Sequence, residues 1–144
     1  MNNIKLINGG MASDDRGCLK FVNDFTFDKV KRFYQVKNHQ AGYIRAWHGH
    51  INESKYVYVV KGAAIVGAVP LPKNDTEQST PQVFYLTEYN PKILYIPEGY
   101  ANGFKTLTDD TIVMFYSTST LEESAKDDIR FEYDKWNIWK ENYR

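Results

Sequence analysis

Cysteine is nearly missing from this chain, histidine is scarce and net charge is zero, and each of these shortages removes a class of protein. The single Cys18 cannot form an internal disulfide, which suits a reducing compartment. The 18 basic and 18 acidic residues cancel, whereas a protein that works on the nucleic-acid backbone carries a basic excess. No apolar run at the start is long enough for a signal peptide. The longest anywhere, Ala63 to Leu71, reaches about half a membrane span. Only 5 Pro and 9 Gly stand against 11 Tyr, 8 Phe and 3 Trp, a balance foreign to disordered chains. These exclusions predict a soluble cytoplasmic protein with no nucleic-acid and no membrane partner.

What is present fits one domain spanning residues 1–144. A domain of this size buries enough surface to need no disulfide or metal staple. Charge is unevenly spread: residues 1–72 carry 10 Lys/Arg and 5 Asp/Glu, and residues 73–144 carry 8 and 13. A basic first half suits a phosphate-bearing small ligand, unless the halves interleave in the fold.

Period-2 patterning dominates. Lys55–Lys61 (KYVYVVK) and Ala63–Leu71 read as consecutive strands turning at Lys61-Gly62. Val30–Val36, Gly42–Trp47, Gln82–Leu86, Ile93–Ile96 and Thr111–Ser117 are further strands. The polar, proline-bounded 72–81 segment is a loop, and only Leu121–Asp128 suggests a helix. Many short strands with regular turn signals predict an all-β sandwich or barrel.

Chemistry concentrates in Arg45–Lys55 (RAWHGHINESK). His48 and His50 are two apart, so on a strand they share a face. That arrangement suits a metal site or, equally, a solvated strand face. Gly42, five residues, His48-x-His50, eleven residues and Gly62 resemble the first motif of the cupin barrels. Metal-binding cupins place a Glu where this chain has Lys55, and a His where Pro97-Glu98-Gly99-Tyr100-Ala101-Asn102 ends in Asn. An ammonium group repels a divalent cation at short range, so no metal and no other cofactor is expected.

A cupin with Lys in that place resembles the family of dTDP-4-dehydrorhamnose 3,5-epimerase and related nucleotide-sugar isomerases. The elements that carry the resemblance are Asp15-Arg16-Gly17, Arg45-Ala46-Trp47-His48, Lys55 with Val57, Val59 and Gly62, Ile96–Phe104 (IPEGYANGF) and Ile138-Trp139. His48-Gly49-His50, Asp15–Leu19 and Lys31–Tyr34 are closer to the sugar 3,4-ketoisomerases of the same superfamily. The resemblance implies an RmlC-like double-stranded β-helix, or jelly-roll barrel. It also implies an epimerase acting on a nucleoside-diphosphate 4-keto-6-deoxyhexose, with keto transfer or mere sugar binding as alternatives, and a homodimer paired through an edge strand such as residues 4–7 or 18–22.

In such chemistry a base removes a proton beside the ketone and a cation steadies the enolate oxygen. The resemblance assigns the base to His48, the cation to Lys55 and the carboxylate that holds His48 to Asp134, with Glu132 as the fallback. Arg16, Arg45, His50, Asn102, Tyr116 and Tyr34 are the expected substrate-binding residues, with Lys20 a further diphosphate candidate. Arg45 is expected to share a strand face with Trp47, while His39 reads as exposed and Glu98 as structural. Phe131, Tyr133, Trp136 and Trp139 suit a sealed core or a nucleobase platform. The family's acid tyrosine is not found, since Thr120 or Leu121 occupies its place; Tyr116 and Tyr34 are the substitutes.

Overall fold

The computed structural model describes residues 3–140, and strand formation follows the alternation of the sequence closely. The elements are β1 (Lys5–Asn8), β2 (Gly10–Asp14), β3 (Gly17–Phe21), β4 (Arg32–Val36), β5 (Ile44–His50), β6 (Lys55–Lys61), β7 (Ala63–Pro70), β8 (Gln82–Thr87), β9 (Lys92–Ile96), β10 (Tyr100–Thr106), β11 (Ile112–Ser117), α1 (Leu121–Ala125) and β12 (Ile129–Arg130). Two five-stranded antiparallel sheets result, ordered β1-β9-β6-β11-β4 and β12-β5-β10-β7-β8. A separate hairpin pairs β2 with β3. No helix among the described residues is long and apolar enough to cross a membrane.

The core lies between the two sheets. Val57, Val59, Leu94, Val113 and Phe115 come from the first, and Ala64, Val66, Leu86 and Phe104 from the second. The alternate residues of β6 and β11, Tyr56, Tyr58 and Tyr116, therefore face outward. Phe25, from the loop between β3 and β4, covers that outer face at 5.0 Å from Tyr56 and 5.2 Å from Tyr116. On the outer face of the second sheet Trp47 is fully buried against Trp136 and Trp139, at 5.4 and 5.3 Å. The indole nitrogens of Trp47 and Trp139 both donate to the Tyr133 carbonyl. The C-terminal aromatics thus seal this face, with only Tyr133 largely exposed.

Two sequence expectations fail for local reasons. The helix is Leu121–Ala125, shorter than expected, and it starts at Thr120, whose hydroxyl accepts from the Glu123 amide while Glu123 reaches back to the Thr120 amide. β10 was missing from the expected strands because Asn102 and Gly103 are poor strand formers. It is nonetheless a central, wholly buried strand. Gly103 is required there because a Cβ would strike Ala46 on β5. That close approach is a bulge, where pairing shifts from Asn102↔His48 to Phe104↔Arg45.

Candidate active site

The bulge decides which β5 side chains see the barrel interior. Asn102 and Phe104 share the inner face of β10, so their partners His48 and Arg45 also face inward. Arg45 therefore does not share the face of Trp47, as strict alternation had led us to expect; the extra residue turns Trp47 outward. His50 follows His48 on the inner side. Opposite them, β4, β11 and β6 present Arg32, Tyr34, Phe115, Ser117 and Lys55 inward, in cross-strand register.

His48 sits half-buried near the mouth of the barrel. Burial first, then the nearby Lys55, Arg130 and His50, hold its imidazole below the ordinary value of 6.5, and Asp128 partly offsets them. The imidazole is thus neutral at neutral pH and able to accept a proton. Asp128 Oδ1 lies 4.0 Å from His48 Nδ1, and Arg130 balances Asp128 at 2.9 Å. Asp134, expected in that place, is exposed in the turn after β12, as is Glu132. The pairing of Arg130 with His48 brings Asp128, not Asp134, to the imidazole.

Lys55 is 93% removed from solvent, at 7% exposure, on the central strand β6. Its Nζ lies 5.8 Å from the ring centres of Tyr34 and Phe115. No carboxylate pairs with it among the described residues. An ammonium ion buried without a counter-ion is costly, and such a group is set to meet an anion or a developing oxyanion.

The remaining positions sort clearly. Tyr34 stacks on Phe115 at 5.1 Å, facing inward, and its hydroxyl has no hydrogen-bond partner among the described residues. Asn102 is buried and its amide nitrogen lies 3.4 Å from the His48 carbonyl. His50 is buried, and its Nδ1 donates to the Asp127 carbonyl at 2.6 Å, which fixes the tautomer and leaves Nε2 without a partner among the described residues. Arg45 donates to Asn38 at 2.7 Å. Tyr116 is on the wrong face, packed outside with Phe25 and Phe27. Arg16 is exposed at the β2–β3 turn and bound to Asp14, so this chain does not bring it to the site. Lys20 is paired with Glu88 at 3.0 Å. Thr120 is used as a helix cap and Leu121 is exposed, so neither supplies an acid. His39 is exposed and Glu98 half-buried.

Besides Asp128, sequence reasoning missed three residues. Glu53 is fully buried and accepts from Ser117 Oγ at 2.5 Å and Ser124 Oγ at 2.7 Å. Asp127 accepts from the amides of Ile51, Asn52 and Glu53, and so locks the loop between the histidines and Lys55. Arg32 stands on the inner face beside Tyr34. Glu53 and Asp127 are invisible in sequence because the groups that donate hydrogen bonds to them lie more than 60 residues away; only the Arg32/Tyr34 alternation in β4 carried a signal.

The metal chemistry common in cupins does not fit this donor set. Lys55 and Asn102 stand where two ligands would be, and Lys55 is close enough to influence the His48 proton. Among the described residues no group of three or more His, Cys, Asp or Glu side chains is arranged to hold an ion.

A jelly-roll barrel that keeps the cupin histidines but has Lys55 and Asn102 where two metal ligands would stand fits a cupin of the nucleotide-sugar epimerase and isomerase class, and the chain is an enzyme of that type. Over residues 1–142 it matches, and belongs to, the dTDP-4-dehydrorhamnose 3,5-epimerase family. It is 25% identical over 138 residues to the spore coat polysaccharide biosynthesis protein SpsL of Bacillus subtilis, covering 92% of this chain and 91% of that one. The crystal structure of dTDP-4-dehydrorhamnose 3,5-epimerase from Bacillus anthracis with TDP and PPi bound superposes with a TM-score of 0.78 at 24% identity, over 94% of this chain and 86% of that one. The sugar 3,4-ketoisomerase QdtA of Thermoanaerobacterium thermosaccharolyticum, in complex with TDP, gives 0.70 at 21% identity, over 92% and 90%.

Proposed function

We propose that this enzyme abstracts a proton beside the ketone of a nucleoside-diphosphate 4-keto-6-deoxyhexose onto one residue and delivers a different proton to the opposite face from another, epimerising the sugar for polysaccharide synthesis. The observation that carries the reading is Lys55, a buried ammonium with no carboxylate partner among the described residues, close to an imidazole held neutral. The ketone acidifies the hydrogens on C3 and C5. His48 takes one of them, and the charge that develops on the C4 oxygen is met by Lys55. Such a fixed donor acts at the developing oxyanion, where its interaction strengthens as the transition state forms. Asp128 steadies the imidazolium so produced. Inversion then needs a donor across the ring, and the inward Tyr34 hydroxyl fills that role. No metal takes part in any step.

A second reading, transfer of the keto group from C4 to C3, is favoured by one observation: His50 follows His48 on the same inner face of β5. The working unit we propose is a homodimer, since among the described residues β1 and β3 each pair on one side only. Incubation with dTDP-4-keto-6-deoxyglucose and proton NMR of the product decides between readings. Inversion at one carbon supports epimerisation, a C3 ketone supports keto transfer, and unchanged sugar rejects both.

A further inference from the structure

Two cations, not one, stand on the inner face at the barrel mouth. Arg32 pairs in register with Ser117, and Ser117 with Lys55. The backbones of the two residues thus flank one serine, about two strand spacings or ~10 Å apart across the sheet. Both lean on the same ring: the Arg32 guanidinium carbon is 5.0 Å from the centre of Tyr34, and Lys55 Nζ is 5.8 Å from it.

Arg32 has far more donors than partners. A guanidinium carries five N–H donors, and the one ion pair of Arg32 among the described residues is to Glu53, with Nη2 to Oε2 at 3.5 Å. A good charge-assisted bond of this type measures about 2.7–2.9 Å. Glu53 cannot draw it closer without disturbing its own short bonds to Ser117 and Ser124. The Arg32 Nε is buried with no acceptor among the described residues. The other arginines near the sheet edges are satisfied: Arg16 by Asp14 at 2.6 Å, Arg130 by Asp128 at 2.9 Å and Arg45 by Asn38 at 2.7 Å. Among the described residues Glu53 is the one carboxylate facing the two cations Arg32 and Lys55 and it meets Arg32 only at 3.5 Å, so the pair as a whole carries an excess positive charge.

Resting on the nucleotide-sugar reading above, we infer that Arg32 is a substrate-binding residue that holds the diphosphate while Lys55 holds the carbonyl oxygen at the far side of the same sugar ring. The planar fork of an arginine suits phosphate oxygens. Because both heads border the Tyr34 ring, a ligand whose two polar ends are divided by one pyranose can meet both. Glu53 then acts as a positioning residue, keeping the guanidinium over Tyr34 without neutralising it at contact distance.

The test is the affinity of the whole protein for dTDP and for thymidine, by calorimetry at two salt concentrations. Wild type is expected to bind dTDP much more tightly than thymidine. Arg32→Gln should lose about tenfold or more of the dTDP affinity with thymidine unchanged, and its salt dependence should flatten. Arg32→Lys should fall between them, and Lys61→Gln, a cation at the opposite end of β6, should match wild type. Should Arg32→Gln fail to fold, Arg32→Lys decides by the same ratio of dTDP to thymidine. Equal loss for both ligands, or no loss of dTDP binding, overturns the inference and leaves the nucleotide-sugar reading standing. Failure of the wild type to bind dTDP, UDP or GDP overturns that reading and the inference with it.

Discussion

Replacing Lys55 by Met should make the protein more stable and much less active at once. The substitution keeps the length of the stem and removes the charge. In the native protein the ammonium is 7% exposed, with no carboxylate partner among the described residues; burying such an ion costs several kcal/mol. The faces of Tyr34 and Phe115, both 5.8 Å away, return about 0.5–1 kcal/mol each. A methionine in the same space makes the apolar contacts without the desolvation, so a net gain of about 1–3 kcal/mol is expected. For a chain of this size that is a rise in Tm of about 4–10 °C. Activity should move the other way, by about 10²–10³-fold, the usual loss on removing one oxyanion donor. Thermal melts and the initial rate of solvent-hydrogen exchange into the substrate measure the two effects on one preparation. A Lys55→Met protein that melts lower, or that exchanges at the wild-type rate, would refute the claim that this lysine is held unpaired for the enolate.

Three other outcomes are expected. Asp128→Asn removes the one neighbour that raises the His48 pKa, so the acid limb of the kcat/KM profile, already below pH 6.5 in the wild type, should move to lower pH; a shift upward would exclude Asp128 as the carboxylate that faces the base. Tyr34→Phe should leave exchange beside the ketone intact while slowing inversion, as seen by comparing deuterium uptake with product formation; equal loss of both would remove the tyrosine from the acid role. Glu53→Ala, which strands Arg32 and the hydroxyls of Ser117 and Ser124, should cost about 3–5 kcal/mol in a denaturant titration.

Much of the fold was legible because period-2 alternation in strands such as Lys55–Lys61 and Gln82–Thr87 leaves little choice of structure. Alternation put His48 and His50 on one face of a strand, but it was the family resemblance, not the period, that gave His48 and Lys55 a place in the site. β10 was missed because Asn102 and Gly103 are poor strand formers, and Arg45 was assigned to the wrong face for a related reason. The bulge opposite Gly103 inserts one residue, and no local signal at Ala46 or Trp47 announces it. Asp128 was missed because its approach to His48 depends on the two-residue strand β12, far too short to read from patterning. The buried Glu53 was hidden for a different reason. A glutamate between an asparagine and a serine reads as solvated loop, and only the packing of α1 and β11 over it makes it a buried charge. Tyr116 failed as a candidate by register: one residue along β11 separates the barrel interior from the aromatic outer face.

The most direct test of the central claim is deuterium incorporation from D₂O into dTDP-4-keto-6-deoxyglucose, read by NMR at C3 and C5, with wild type and His48→Asn side by side in the presence of a chelator. The account predicts rapid uptake at one of those carbons in the wild type, none above background in His48→Asn, and no effect of the chelator. Uptake in His48→Asn at the wild-type rate, or uptake that the chelator abolishes, would contradict it.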